Sequence, residues 1–303
     1  MIKAIIDIGS NSIKMRVAKI QNHAFKVIRD ETEVVRLGRG MSESGFLSEN
    51  SMKISCEAVA RMVYAAKKLN AEIFIVGTMA LRTAANSEIF LKMIKDSTGF
   101  DVHVFSGEDE AKYSWLGAVD GFNVEGDVMM FDSGGGSTEF VLGRDGQVNK
   151  ITSVPIGAVN LSEKFFNIYD SPIKKSFCDE AVEYVKNLLF ENKINEFISK
   201  ENNVQIIGVG GGIVTMAGVK FACESFMPSK LHGSVLNIRD VNTQIKMYAS
   251  LNLKERQNVI GLPASRADII LGSASIVKAV FEIFQAKSCI VSINGLRHGL
   301  LLN

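Results

Sequence analysis

Apolar positions along the chain recur in two periods. Short apolar runs that end at Gly or Asp predict strands over residues 2–8, 15–20, 73–76, 102–105, 128–131, 139–142, 204–207 and 289–292. Between them the spacing changes to three and four. After a capping Ser48, the residues Met52, Cys56, Val59, Val63 and Ala66 form one apolar stripe, which predicts a helix over 48–69. Residues 87–97, 176–200 and 266–284 follow the same rule, and further helices are expected over 213–221 and after Ser106. Strands alternating with amphipathic helices predict an α/β protein.

The pattern also repeats. IIDIGSNSIKMRV, from Ile5, lies without a gap on MFDSGGGSTEFVL, from Met130, at an offset of 125 residues. Asp7 falls on Asp132, Gly9 on Gly134 and Ser12 on Ser137, while Met15 and Val17 fall on Phe140 and Leu142. Further on, IFIVGTMALR, from Ile73, lies over VQIIGVGGGI, from Val204, at an offset of 131. Two correspondences in the same order predict a duplicated domain. The boundary is expected where GFNVEG, 121–126, interrupts the pattern, giving a first domain over 1–124 and a second over 125–295. With four Pro and no Ser-rich linker, the connections are expected to be short.

Composition narrows the classes. The 303 residues suit one large domain or two of moderate size, and 47% hydrophobic with 22% charged residues excludes disorder and a coiled coil. A net charge of +1 supplies no general field for nucleic acid or an anionic membrane, so a polyanion would have to be gripped locally. Cys56, Cys178, Cys223 and Cys289 form no CxxC spacing, which argues against a zinc site or a disulfide framework and for a reducing cytoplasm. The first residues reach Asp7 too soon for a signal-peptide core. The apolar stretch 269–284 carries Lys278 and Glu282 and falls short of the ~20 residues a membrane span needs. A soluble, cytoplasmic protein is expected.

Candidate chemistry gathers at the strand ends. In FDSGGGSTE, 131–139, a strand delivers Asp132, and Gly134, Gly135 and Gly136 let backbone N–H groups turn into a shared space where phosphate oxygens bind. Ser137 and Thr138 follow, and Asp132 and Glu139 supply hard oxygens suited to Mg²⁺. The alternative is a tight hairpin with solvated acids. Gly9, Ser10, Asn11 and Ser12 repeat the arrangement after Asp7, with plain turn chemistry as the alternative. GVGGG, 208–212, opens a helix and offers a second anion or nucleotide contact through Gly208, Gly210 and Gly211, or else only close packing. Glu108, Asp109 and Glu110 begin the helix after Ser106, where acids commonly complement the helix dipole, and one of them could orient a water. Arg82, one turn beyond Gly77 and Thr78, could reach a phosphate or form a surface ion pair. The four His residues form no pairing and no Ser/His/Asp set is evident.

DIGSNSIKM, GTMALR, SGEDEA, FDSGGGSTEFVLG, PIGAVNL, GVGGG, RADIILG and SINGLRHGLL resemble, in that order, the signatures of the exopolyphosphatase/guanosine pentaphosphate phosphohydrolase (Ppx/GppA) family over nearly the whole chain. The resemblance implies an α/β fold of duplicated actin-like ATPase domains, of the sugar kinase/Hsp70/actin and ribonuclease H-like type, flanking an interdomain cleft. The final helix, 296–303, would pack on the first domain. Carried over residue by residue, it implies Glu110 as the general base on the attacking water. Asp132 and Glu139, with Asp7 as a further candidate, would bind Mg²⁺ or Mn²⁺. The two Gly/Ser turns would be phosphate loops and Arg82 a phosphate contact. It implies a homodimer acting on inorganic polyphosphate or guanosine pentaphosphate (pppGpp), with no nucleic acid or membrane partner.

Three positions depart from the family pattern. Gly212 stands where Thr is expected, Asn160 where Arg is frequent and His298 where Glu or Tyr is common, which favours phosphate over nucleotide binding. The sequence ends soon after the second domain, without the helical extension of longer members, so a long-polyphosphate channel built from that extension is not assumed. The leading expectation is Mg²⁺-dependent removal of terminal phosphate from polyphosphate, with pppGpp 5′-phosphate hydrolysis second. A superfamily kinase, with an Asp base in the second domain, and a non-catalytic phosphate sensor stand behind them.

Overall fold

The structure, a computed structural model, describes residues 1–21, 24–197 and 204–303. It divides into two compact units, Met1–Gly117 with Leu296–Asn303, and Ala118–Gly295. The chain passes from the first to the second inside the helix Gly107–Val119.

The first unit is built on β1 (Ile2–Ile8), β2 (Ser12–Gln21), β3 (Ala24–Val34), β4 (Glu72–Gly77) and β5 (His103–Val104), in the order β3-β2-β1-β4-β5. β1 is antiparallel to β2 and parallel to β4. Alternation along β1 loads both faces of the sheet. Ile6 and Ile8 pack with the apolar stripe of helix Glu49–Lys68, including Met52, Val59 and Val63, and with Phe90 and Ile94 of helix Ser87–Thr98. Ser48 caps the first of these helices by accepting from the Ser51 N–H at 3.1 Å. Ile5, with Ala18 and Val76, meets Leu296, Leu300 and Leu301 of helix Leu296–Leu302. That helix is clasped from β3, where Asp30 takes Arg297 at 2.6 Å and Arg16 of β2 at 2.6 Å.

The second unit holds β6 (Asp127–Ser133), β7 (Thr138–Arg144), β8 (Gln147–Val154), β9 (Gln205–Val209), β10 (Val235–Asn237) and β11 (Ser288–Val291), in the order β10-β11-β9-β6-β7-β8. Without β10 this is the first sheet again. β6 is antiparallel to β7 and parallel to β9, as β1 is to β2 and β4. Met129, Phe131 and Phe140 face a core closed by the helices Ala158–Phe165, Lys175–Glu191 and Ile270–Ile283.

Strand register corrects one correspondence. Ile6 pairs with Ile75, and Phe131, its equivalent 125 residues on, pairs with Gly208, so β4 and β9 are related by 133 residues rather than 131. Gly77 therefore matches Gly210. A slip of two residues leaves every side chain on its own face, so the apolar pattern could not detect it.

Other elements differ from expectation. β3, β8 and β10 carry no apolar run that marks them; β3 reads AFKVIRDETEV and is largely exposed. The helix expected over 176–200 ends at Glu191, and positions 198–200 lie outside the described residues. The helix expected from Arg266 begins at Ile270, after a short 3-10 turn at Ala264–Arg266. Among the described residues no helix is long and apolar enough to cross a membrane.

Candidate active site

The two Gly/Ser turns share one backbone device. The Gly9 N–H donates to the Ser12 carbonyl at 3.1 Å, and the Gly134 N–H to the Ser137 carbonyl at 2.9 Å. In the second turn three consecutive carbonyls are docked on one helix start. Gly134 accepts from the Ala158 N–H at 3.0 Å, Gly135 from the Val159 N–H at 2.7 Å and Gly136 from the Asn160 side-chain amide at 3.0 Å. A trans peptide points its N–H opposite to its carbonyl. Docking these carbonyls therefore turns the amides of Gly135, Gly136 and Ser137 away from the helix, and none of the three donates to an acceptor among the described residues. Three successive amides without an acceptor are the arrangement an anion nest requires.

The first turn is docked by a different segment. The Ser10 carbonyl accepts from the Gly38 N–H at 2.8 Å and the Asn11 carbonyl from the Arg36 N–H at 2.8 Å. Ser10, Asn11 and Ser12 are buried, and the amide nitrogen of Asn11 has no partner among the described residues.

Arg82 and Glu110 are brought together in the first unit. The Thr78 N–H donates to the Ile8 carbonyl at 3.2 Å, which ties the helix Met79–Thr83 to the end of β1 beside the first turn. From that helix the Arg82 guanidinium donates to the Phe105 carbonyl at 2.7 Å and to Glu110 at 3.3 Å. The three acids after Ser106 separate by role. Asp109 exchanges hydrogen bonds with Ser106, its N–H donating to the hydroxyl and its carboxylate accepting from it, and so caps the helix. Glu108 is exposed. Only Glu110 turns inward onto Arg82, with 13% of its side chain exposed.

The proposed metal carboxylates meet across two strands. Asp132 and Glu139 are direct partners in the β6/β7 ladder and so share one face of the sheet. Glu139 is 1% exposed and accepts from the Ser153 hydroxyl at 2.8 Å. Asp132 is half-buried and cradled by glycines: a Cβ at Gly210 would stand 3.2 Å from its Oδ1, and one at Gly295 3.4 Å from its Oδ2. Two carboxylates on one face, with room left over one of them, fit Mg²⁺, which takes one or two protein carboxylates and fills its shell from water and phosphate. No larger acidic or His/Cys cluster occurs among the described residues. Asp7 belongs to the first unit and pairs across its ladder with Lys14.

The glycines at 208–212 differ among themselves. Gly208 lies within β9, and its absent side chain leaves the space taken by Phe131, Ile213 and Cys289, which is the close packing held as the alternative to a nucleotide contact. Gly210, at φ 111°, holds a conformation L-residues rarely adopt, and its Cβ would also collide with the Ser133 carbonyl. Gly211 opens helix Gly211–Lys220 beneath the Arg266 guanidinium, with a built Cβ 2.6 Å from its Cζ.

Residues 16–303 match the model of the Ppx/GppA phosphatase family. The chain belongs to that family. Over 99% of its length it is 30% identical to the bifunctional 3-dehydroquinate synthase/phosphatase of Fusobacterium nucleatum, covering 46% of that protein. It is 28% identical over 98% of its length to the guanosine-5′-triphosphate,3′-diphosphate pyrophosphatase of Photobacterium profundum, covering 58%. The chain thus spans about half the length of these curated relatives. The solved PPX-GPPA enzyme of Aquifex aeolicus is similar at a TM-score of 0.81 and 31% identity, with 100% and 99% of the two chains covered. The repeated strand order shows the duplication that the sequence predicted.

Two residues gain a place that the Ppx/GppA motifs did not give them. Asn160, notable in sequence only as a departure, docks the second turn. Asn160 accepts from the Gly157 N–H, which is one half of a capping box; glycine at the cap has no side chain to supply the other half, so the sequence carried no capping-box signal. Arg266, inside RADIILG, is half-buried over Gly211; its guanidinium makes no hydrogen bond or ion pair among the described residues and is pushed below the ordinary arginine pKa by burial. No local spacing marks Arg266, because its target lies 55 residues earlier in the chain, at Gly211.

Proposed function

We propose that this Ppx/GppA chain is a phosphoanhydride hydrolase that removes terminal phosphate from inorganic polyphosphate. The docking of the Gly134–Gly136 carbonyls supports the reading most directly, because it leaves three amides to hold phosphate oxygens. In the proposed mechanism Glu110 orients the attacking water and accepts its proton, while Arg82 beside it offsets phosphate charge. The amides of Gly135, Gly136 and Ser137 hold charge that grows on the equatorial oxygens as the bond to the leaving phosphate breaks. Gly9, Ser10, Asn11 and Ser12 bind phosphate in the same manner, with the Asn11 amide as a side-chain donor. Asp132 and Glu139 would hold Mg²⁺, which when bound supplies charge neutralisation at the phosphoryl oxygens.

A second reading, hydrolysis of the 5′ γ-phosphate of pppGpp, draws support from Arg266 over the Gly211 helix start, a cation poised for a nucleotide's further phosphates. Phosphate release is to be compared on tripolyphosphate, long polyphosphate and pppGpp, each with Mg²⁺ and with chelator. The expected order places short polyphosphate first, with activity lost on chelation. Release fastest from pppGpp would favour the second reading, and release from none would sink both.

A further inference from the structure

We propose that Asn160 is a positioning residue for the phosphate turn, aiming the Ser137 amide by holding the Gly136 carbonyl from behind. Its side chain has two ends in use. Oδ1 accepts from the Gly157 N–H at 2.8 Å and closes the cap of helix Ala158–Phe165. Nδ2 donates to the Gly136 carbonyl at 3.0 Å and, at 3.3 Å, to the Pro155 carbonyl.

The two neighbouring carbonyls, of Gly134 and Gly135, are held by backbone amides of the same helix start, which no side-chain substitution removes. The third has only a side chain to hold it. Gly136 and Ser137 share the peptide whose orientation that bond fixes, so Asn160 decides where the last amide of the nest points. The residue is therefore more than a helix cap. A cap needs only the acceptor, and the donor is the half that reaches the phosphate turn.

This rests on the phosphate reading of the turn, and the experiment separates the two. Asn160→Asp keeps an acceptor for the Gly157 N–H but sets an oxygen against the Gly136 oxygen. Asn160→Ala removes both ends without adding charge. Steady-state release from tripolyphosphate, calorimetric binding of tripolyphosphate and thermal melting are measured on both variants and the parent. Both variants are expected to raise KM and weaken binding by more than about tenfold, the measured cost of a lost hydrogen bond to a charged ligand. Asn160→Asp should keep a melting temperature within a few degrees of the parent. As pH is lowered towards the carboxyl's own range, the protonated Asp regains a donor. Its KM should then approach the parent's, while that of Asn160→Ala does not.

KM and binding within twofold of the parent in both variants would overturn the proposal and leave the phosphate reading intact. A loss confined to kcat, in step with a lower melting temperature and with KM unchanged, would likewise reduce Asn160 to a helix cap. A parent that neither binds nor hydrolyses tripolyphosphate would overturn the phosphate reading and this inference with it.

Discussion

Gly157→Ala should damage phosphate release by moving the second turn, and the size of the effect follows from the contact. Gly157 has φ −143° and ψ 179°, extended backbone that alanine adopts without strain, so only space requires glycine there. A Cβ at that position would run into the Gly135 carbonyl carbon and the Gly136 nitrogen, and would stand 2.5 Å from the Gly135 oxygen. Ordinary contact begins at 3.4 Å, a shortfall of 3.4 − 2.5 = 0.9 Å against backbone on which the nest itself is built. A misplacement of about 1 Å costs on the order of a hundredfold in rate, which is about 2.7 kcal/mol of transition-state stabilisation. If helix Ala158–Phe165 yields instead, the strain of about 1–3 kcal/mol appears as lost stability. The assay is kcat/KM for phosphate release from tripolyphosphate, read beside the melting temperature. Gly126→Ala serves as the control, since Gly126 has φ +71° and nothing within 4 Å of its built Cβ; it should lose about 1 kcal/mol of stability and no activity. A Gly157→Ala enzyme with kcat/KM within threefold of the parent and an unchanged melting temperature would refute the reasoning.

The remaining expectations are more local. Glu110→Gln keeps the shape and an acceptor for Arg82 but not the base, so kcat should fall by roughly 10²–10⁴ with little change in KM, measured by steady-state release. Asp132→Asn should raise the Mg²⁺ concentration for half-maximal activity by more than about tenfold, read from a metal titration, while unchanged metal dependence would remove Asp132 from the proposed site. Burial lowers the His232 pKa, against an opposing pull from Asp120. In the folded state the ring accepts from the Ile293 N–H at 3.4 Å and stacks on Phe122. The unfolded chain binds the proton more readily, so the stabilisation is complete above the ordinary histidine pKa of about 6.5 and is lost as pH falls through the lower folded value. The melting temperature should drop between about pH 7 and pH 5.5, and His232→Asn should flatten that drop.

Much of the architecture was legible because buried strands and amphipathic helices impose a period. β1 was read to its ends, and the stripe from Met52 to Ala66 is buried as its spacing requires. β3 was not legible, because an edge strand facing solvent needs no apolar run, and its AFKVIRDETEV sequence resembles a charged loop. At the candidate site, residue types announced the turns but not their orientation. Glu108, Asp109 and Glu110 are equivalent in sequence; a capping bond to Ser106 and a contact with Arg82, 28 residues earlier, tell them apart. Arg266 over Gly211 is legible only once two helices are packed.

The two turns also explain why duplicated sequences diverged at the same spot. Both keep the same four-residue hydrogen bond, and both have their carbonyls held from behind. In the first unit the holder is the segment 35–38 after β3, and the tight approach is met by a glycine on the holder: a Cβ at Gly38 would stand 3.0 Å from the Ser10 Cβ. The turn is then free to carry side chains, and Ser10, Asn11 and Ser12 supply hydroxyls and an amide. In the second unit the holder is a helix start, which holds two carbonyls with successive backbone amides and a third with the Asn160 side chain. Gly157 then packs directly against the backbone of Gly135 and Gly136, so here too the tight approach is met by a glycine on the holder. DIGSNS and DSGGGS are thus two ways of building one turn whose carbonyls are held from behind, which leaves its amides for an anion.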